Sequence, residues 1–239
     1  MGYCVAHNGH ISNGQLLRDQ LSATRHLNSD SDTELISELF GIEMAARRPA
    51  IGPAVTPDLL FEVVQAVMSR CRGGYAVTVL LHGCGILAFR DPHGIRPLCL
   101  GARPGGGVSE RVASAAAAAV ASGAAADRRG GSGKMDLAVA SESAALTGLG
   151  FALKRDVCAG EAVFLDVSTG SVSSRVCVPQ LARTKSAGGG GGEGGGGGGG
   201  GSGGGGVMLA ERGRVRFKPC LFEYVYMARP DSIIDGVPV

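Results

Sequence analysis

The chain has 239 residues, seven cysteines and a formal net charge of +2, with no concentrated run of Lys or Arg. That balance gives no argument for binding nucleic acid or a membrane surface. No apolar run reaches the roughly 20 residues of a membrane helix, and the alanine run near 115–119 falls far short.

In chain order, Tyr3 to His7 is β-prone and predicts a buried strand, and Asn8-Gly9 predicts a tight turn after it. Asn13 is placed to cap a helix carrying Leu16, Leu17 and Leu21 on one side. Ser31-Asp32-Thr33-Glu34 has the S-x-x-E form of a capping box, before a helix with Leu35, Ile36, Leu39 and Phe40 on one face. Thr56-Pro57-Asp58 opens a third helix with a cap, a proline at the first position and an acid in the first turn; its stripe is Leu59, Leu60, Val63, Val64, Val67 and Met68.

Tyr75–Leu81 and Ile86–Phe89 then predict a hairpin around His82-Gly83-Cys84-Gly85. Pro97–Gly101 and Leu137–Ala140 predict strands, and Ser141–Leu149 a short helix ended by Gly150. Val163–Val167 and Val172–Val178 flank Ser168-Thr169-Gly170-Ser171 as a second hairpin. Helices early and strands later predict antiparallel sheets in packed layers with helices outside.

Two biased segments interrupt this pattern. Residues 103–134 pass through PGGG, an alanine run and RRGGSG, and predict a disordered insertion. Residues 187–206 include 17 of the 41 glycines and predict a flexible insertion, since such a run buries no core. The poly-glycine is not a phosphate loop, which needs a strand before it and a helix after it. Without the two segments, the remainder reads as one globular unit. The cysteines (4, 71, 84, 99, 158, 177, 220) are scattered, odd in number and without a CxxC pair, so they predict mostly reduced thiols of an intracellular compartment.

Five segments carry a resemblance: AHNGHISN (6–13), SDSDTELISELF (29–40), RGGYAV…AFRDPHGIRPLCLG (72–101), ASESAAL…GEAVFLD (140–166) and CLFEYVYMARPDSIIDGVPV (220–239). Together they resemble the glutaminase domain of the amidophosphoribosyltransferases. RDPHGIRPL and FEYVYMARPDS are specific to that family, whereas AHNG is shared with other class II glutamine amidotransferases. The resemblance implies an α+β fold of the N-terminal-nucleophile type, a four-layer αββα sandwich. It also implies a reaction: glutamine is hydrolysed to glutamate, and the ammonia displaces pyrophosphate from phosphoribosyl pyrophosphate in a second domain.

The resemblance assigns the oxyanion hole to the Asn8 side-chain N–H and the Gly9 backbone N–H; read alone, Asn-Gly is only a turn signal. It assigns Asp32 to the α-ammonium of glutamine; read alone, Asp32 favours a helix N-terminus. Asp91, His93 and Arg96 read as structural groups of a turn shaped by Pro92, Gly94 and Pro97. His7, His10, His26 and His82 show no metal-ligand spacing. The family's nucleophile is an N-terminal cysteine well before AHNG, so MGYCVAHNG reads as a start inside a domain. Cys4 cannot supply the free amine that serves as base.

Intact members would use Mg2+, and some a [4Fe–4S] cluster with one ligand at the place of Cys220. One cysteine cannot hold a cluster that needs about four thiolates, so no cofactor is expected in this chain. The expected partners are glutamine and, for an intact enzyme, further copies of itself; nucleic acid and membranes are not expected. The compartment is left open between cytosol and plastid. The expectation is a chain inactive alone, with a non-catalytic glutamine-binding or subunit-association module as the alternative. A weaker alternative is the glutaminase half of another class II amidotransferase.

Overall fold

The computed structural model describes residues 2–47, 55–105, 135–178 and 217–239. The first strand, β1 (Tyr3–Ile11), is followed by α1 (Gly14–Ser22), α2 (Asp32–Arg47) and α3 (Pro57–Arg70). Strands β2 (Gly73–Leu81), β3 (Gly85–Arg90), β4 (Cys99–Pro104) and β5 (Met135–Ala140) come next. They lead to α4 (Ser143–Gly148), β6 (Ala152–Asp156), β7 (Glu161–Asp166) and β8 (Val172–Val176). A π-helical turn (Glu223–Met227) and the short β9 (Ile233–Ile234) and β10 (Val237–Pro238) close the chain.

The strands form an antiparallel five-stranded sheet, β1-β2-β3-β7-β8, a three-stranded sheet, β5-β4-β6, and a β9–β10 pair. Period-two alternation assigns each side chain to a layer. Tyr75, Val77, Val79, Leu87, Phe89, Ala162 and Phe164 face the helices, where they pack with Leu35, Leu39, Phe40, Leu60, Val64 and Val67. The intervening Ala76, Ala88, Val163 and Leu165 face the other way, onto Leu98, Leu100 and Val157 beside the second sheet. On that sheet α4 packs through Leu146, which touches the place a Cβ on Gly101 would occupy. The order is helices, sheet, sheet, helix, the four-layer α+β arrangement.

Local chemistry explains the helices. Thr56 Oγ1 accepts from Leu59 N–H at 3.3 Å, and Pro57 opens α3. Ser31 Oγ accepts from Thr33 N–H at 3.2 Å, but Glu34 departs from the capping-box form. It reaches further back and accepts from the Asn28 and Ser29 N–H groups, at 2.7 Å each. Those bonds hold the Glu34 carboxyl well below its usual range, at about 2. At its C-terminus α4 ends in a Schellman pairing, Phe151 N–H to Leu146 O and Gly150 N–H to Thr147 O, with Gly150 at φ +76°.

Several sequence expectations are corrected. Asn8-Gly9 is not a turn: β1 runs through it, with Asn8 opposite Ala76 and Gly9 opposite Tyr75. Gly9 has φ +145°, a conformation that favours glycine, and a Cβ there would meet Gly74 O at 2.1 Å, so the glycine serves close strand approach. The chain turns instead at Ser12-Asn13. Asn13 does not cap α1 through its side chain, whose amide bonds Arg70 O at 2.9 Å and Arg72 N–H at 2.8 Å. The strand expected to be buried alternates, leaving Cys4 and Ala6 exposed, and Leu16 faces solvent. Arg103 and Pro104, placed in an insertion by composition, belong to β4 opposite Asp136 and Met135. Strands β6, β9 and β10 were not expected. Residues 106–134 and 187–206 lie outside the described residues.

Everything near the second layer meets at Arg90, which is 1% exposed. Its guanidinium donates to Arg96 O, Val157 O and Gly94 O at 2.6–2.9 Å, and to both carboxylate oxygens of Asp235 at 2.6 and 2.9 Å. Beside it the fully buried Asp91 accepts from the backbone N–H groups of Tyr75, His93 and Arg96. Asp91 is a structural group that satisfies its own turn, as its sequence suggested, and Arg96 pairs with Glu223.

Removing one member of a buried, bidentate pair strands a charge, so Asp235→Ala should destabilise the protein by about 3–5 kcal/mol in urea denaturation, and the double change Arg90→Met/Asp235→Leu should recover most of that loss. Glu34, with its folded-state value depressed, contributes stability that is present above its ordinary value of 4.5 and lost as pH falls toward about 2. The gap in urea midpoint between the wild type and Glu34→Gln should therefore be full at pH 6 and close across that window.

Candidate glutamine site

β1 carries the site because its pleat sends Asn8 to the side away from α1–α3. There Asn8 lines a cavity of about 110 Å³ with Ser141, Glu142, Pro97, Glu223 and Met227. That space is below the roughly 300–1,000 Å³ of drug-sized pockets and suits a small polar group. Asn8 Nδ2 donates to Ser141 Oγ at 3.0 Å, which fixes the amide plane. An amide nitrogen carries two N–H donors, so one remains for an oxygen in the cavity.

The cavity walls come from distant parts of the chain. Ser141 and Glu142 join β5 to α4, and Glu223 and Met227 lie on the π-helical turn. Glu142 ties the two together: its Oε2 accepts from Arg229 N–H at 2.9 Å and Ser232 Oγ at 2.7 Å, while Ser143 Oγ accepts from Ile233 N–H at 2.7 Å.

Asp32, the first residue of α2, lies against the end of β1 rather than in this cavity. Its Oδ2 accepts from Ile11 N–H and from His10 Nδ1, each at 2.9 Å. Ile11 is three residues beyond Asn8, about 10 Å of strand. The structure therefore sets Asn8, Gly9 and Asp32 along one strand end, with only Asn8 lining the cavity. His7 lies between these groups electrostatically. Burial lowers its pKa, Asp32 opposes that, and Arg96 and His10 add to it, so His7 is neutral at pH 7.

Cys220 is half-buried, with its N–H directed at Ile95 O. No group of three or more His, Cys, Asp or Glu side chains able to hold a metal exists among the described residues, so the residues present do not fit a cluster at Cys220. Sequence reasoning missed Ser141, Glu142 and Glu223 as parts of the site. The available signal was positional: Ser141-Glu142 sits between a strand end and a helix start, where site residues gather.

Residues 1–121 match the family model described as the glutamine amidotransferase domain. Over 240 residues, 100% of this chain and 35% of the relative, the sequence is 32% identical to the amidophosphoribosyltransferase of Pseudomonas aeruginosa, and equally to that of Escherichia coli. The protein of that name from Schizosaccharomyces pombe is 32% identical over 246 residues, with the same coverage. The chain thus spans 35% of the length of these relatives. Among solved structures, the glutamine phosphoribosylpyrophosphate amidotransferase of B. subtilis, complexed with ADP and GMP, superposes with a TM-score of 0.58 at 21% identity, covering 99% of this chain and 35% of that one. That likeness establishes the fold, and the family match over half the sequence establishes kinship: the chain belongs to the glutamine amidotransferase domain family.

Proposed function

We propose that this chain is the glutamine-handling part of an amidophosphoribosyltransferase. The observation that carries the reading is the alignment of the entire chain, at 32% identity, with enzymes of that name from bacteria and yeast. In the reaction, glutamine yields glutamate and ammonia, and the ammonia displaces pyrophosphate from phosphoribosyl pyrophosphate elsewhere in the enzyme. The second Asn8 N–H and the Gly9 N–H would receive the oxyanion formed at the glutamine amide. Loss of one such donor typically costs on the order of 3 kcal/mol of barrier lowering. Asp32 would hold the α-ammonium, distinguishing free glutamine from glutamine in a peptide. Mg2+, further copies of the chain and an interior compartment, cytosolic or plastid, belong to the same reading of the intact enzyme. No helix among the described residues is long and apolar enough to cross a membrane.

The thiols favour a second reading, in which this chain binds glutamine without hydrolysing it. Cys4 shares a strand with Asn8 but lies four residues away, about 13 Å. Cys99 is nearer in the fold, one residue from Ser141 across the sheet, but its Sγ is spent on Ala140 O at 3.3 Å. Burial pushes its thiol up to about 12, reinforced by Asp156. Burial likewise lifts Cys71 to about 12 and Cys177 to about 11. Nucleophilic attack needs a thiolate, and these three supply almost none near neutral pH.

Calorimetry with purified chain and L-glutamine tests the reading: binding should appear and weaken at least about tenfold in Asp32→Asn, as expected for a lost charge-assisted contact. Unchanged binding in Asp32→Asn would remove Asp32 from the site. Glutamate release should stay at background, and release abolished by Asn8→Ala would overturn the non-hydrolytic reading. Iodoacetamide at pH 7.5 should label the exposed Cys4 and spare Cys71, Cys99 and Cys177, as read by mass spectrometry.

A further inference from the structure

We propose that His10 is a positioning residue for the Asp32 carboxylate and thereby sets the affinity for the α-ammonium of free glutamine; this rests on the reading of Asp32 given above. Two donors from adjacent residues of β1, Ile11 N–H and His10 Nδ1, converge on a single oxygen, Asp32 Oδ2, at 2.9 Å each. An ionised carboxylate only accepts, so His10 Nδ1 carries the proton. With both donors in place, the carboxylate cannot rotate without breaking two bonds.

The other oxygen, Oδ1, has no hydrogen-bond partner among the described residues. Asp32 Oδ1 lies over Gly14, 3.1 Å from the place a Cβ would occupy, so the absent side chain keeps that space open. The Asp32 side chain is 20% exposed and reachable from solvent. His10 shares the Asn8 face of β1, two residues and about 7 Å further along. It therefore stands between the amide that would meet the scissile end of glutamine and the carboxylate that would meet its amino end. His10 is 78% exposed, so its bond to Asp32, rather than packing, is its main interaction. Without that donor, Ile11 N–H alone holds Asp32, and Oδ1 loses its fixed direction.

The test measures two ligands on the full chain by calorimetry: L-glutamine and 4-carbamoylbutanoate, which keeps the amide and carboxylate but lacks the amine. His10→Phe should weaken L-glutamine about tenfold and leave 4-carbamoylbutanoate within about twofold. His10→Asn, which restores an N–H donor, should return L-glutamine to within about threefold of the wild type. Equal weakening of both ligands, no weakening of either, or an Asn variant no better than the Phe variant would overturn the role of His10. Binding that depends on Asp32 but ignores His10→Phe defeats this inference alone. Binding that ignores Asp32→Asn defeats the reading of Asp32 and this inference with it.

Discussion

A guanidinium taken out of water must find a partner for its charge and acceptors for its N–H groups. Arg90 does both, and the rest of the second layer depends on it. It ends β3, and its donors collect the carbonyls of Gly94, Arg96 and Val157 together with the Asp235 carboxylate. A buried ion pair of this kind adds little to net stability beyond what an apolar pair would give, because desolvation offsets attraction. What it does is tie the C-terminal segment to the end of β3, because both charges are buried and paired there.

That placement makes the candidate site. With Asp235 drawn to Arg90, Ile234 is buried beside the Asn8 cavity, and the π-helical turn brings Glu223 and Met227 to its wall. Arg96 and Glu223 pair across the same junction, and Glu142 accepts from the backbone of Arg229. The cavity is therefore a product of contacts between residues 90–97, 141–143 and 223–235. Asn8 receives its surroundings from parts of the chain far from it in sequence.

This separation explains what the sequence could show. Helices α2 and α3 were legible because their stripes, caps and proline are local signals, and all of Leu35, Ile36, Leu39 and Phe40 are buried as the period requires. Asp91 was legible as the structural centre of its turn because RDPHGIRPL is compact, but the Arg96 side chain pairs with Glu223, 127 positions away, and the buried His93 Nδ1 has no hydrogen-bond partner among the described residues. Arg90, one residue before Asp91, was passed over: its decisive partner is 145 positions away, and no local pattern marks it. Asn13 and Glu34 were recognised as polar devices, but each chose a partner that local rules did not predict. The candidate site residues Asn8, Gly9 and Asp32 came from resemblance to a family rather than from spacing, since Asn-Gly alone suggested a turn where a strand exists.

The fit of Gly9 against Gly74 has a consequence for what this fold tolerates. A strand displaced by one position presents its opposite side chains, exchanging Asn8 for its neighbours at the cavity. The contact at Gly9, where any added atom would strike the Gly74 carbonyl, holds the odd-even phase of β1 against β2. The connection from β1 to β2 carries Asp32 on α2, so the site also depends on that connection returning Asp32 to the end of β1. A slip of β1 against β2 by a single position would turn the amide inward toward the helices.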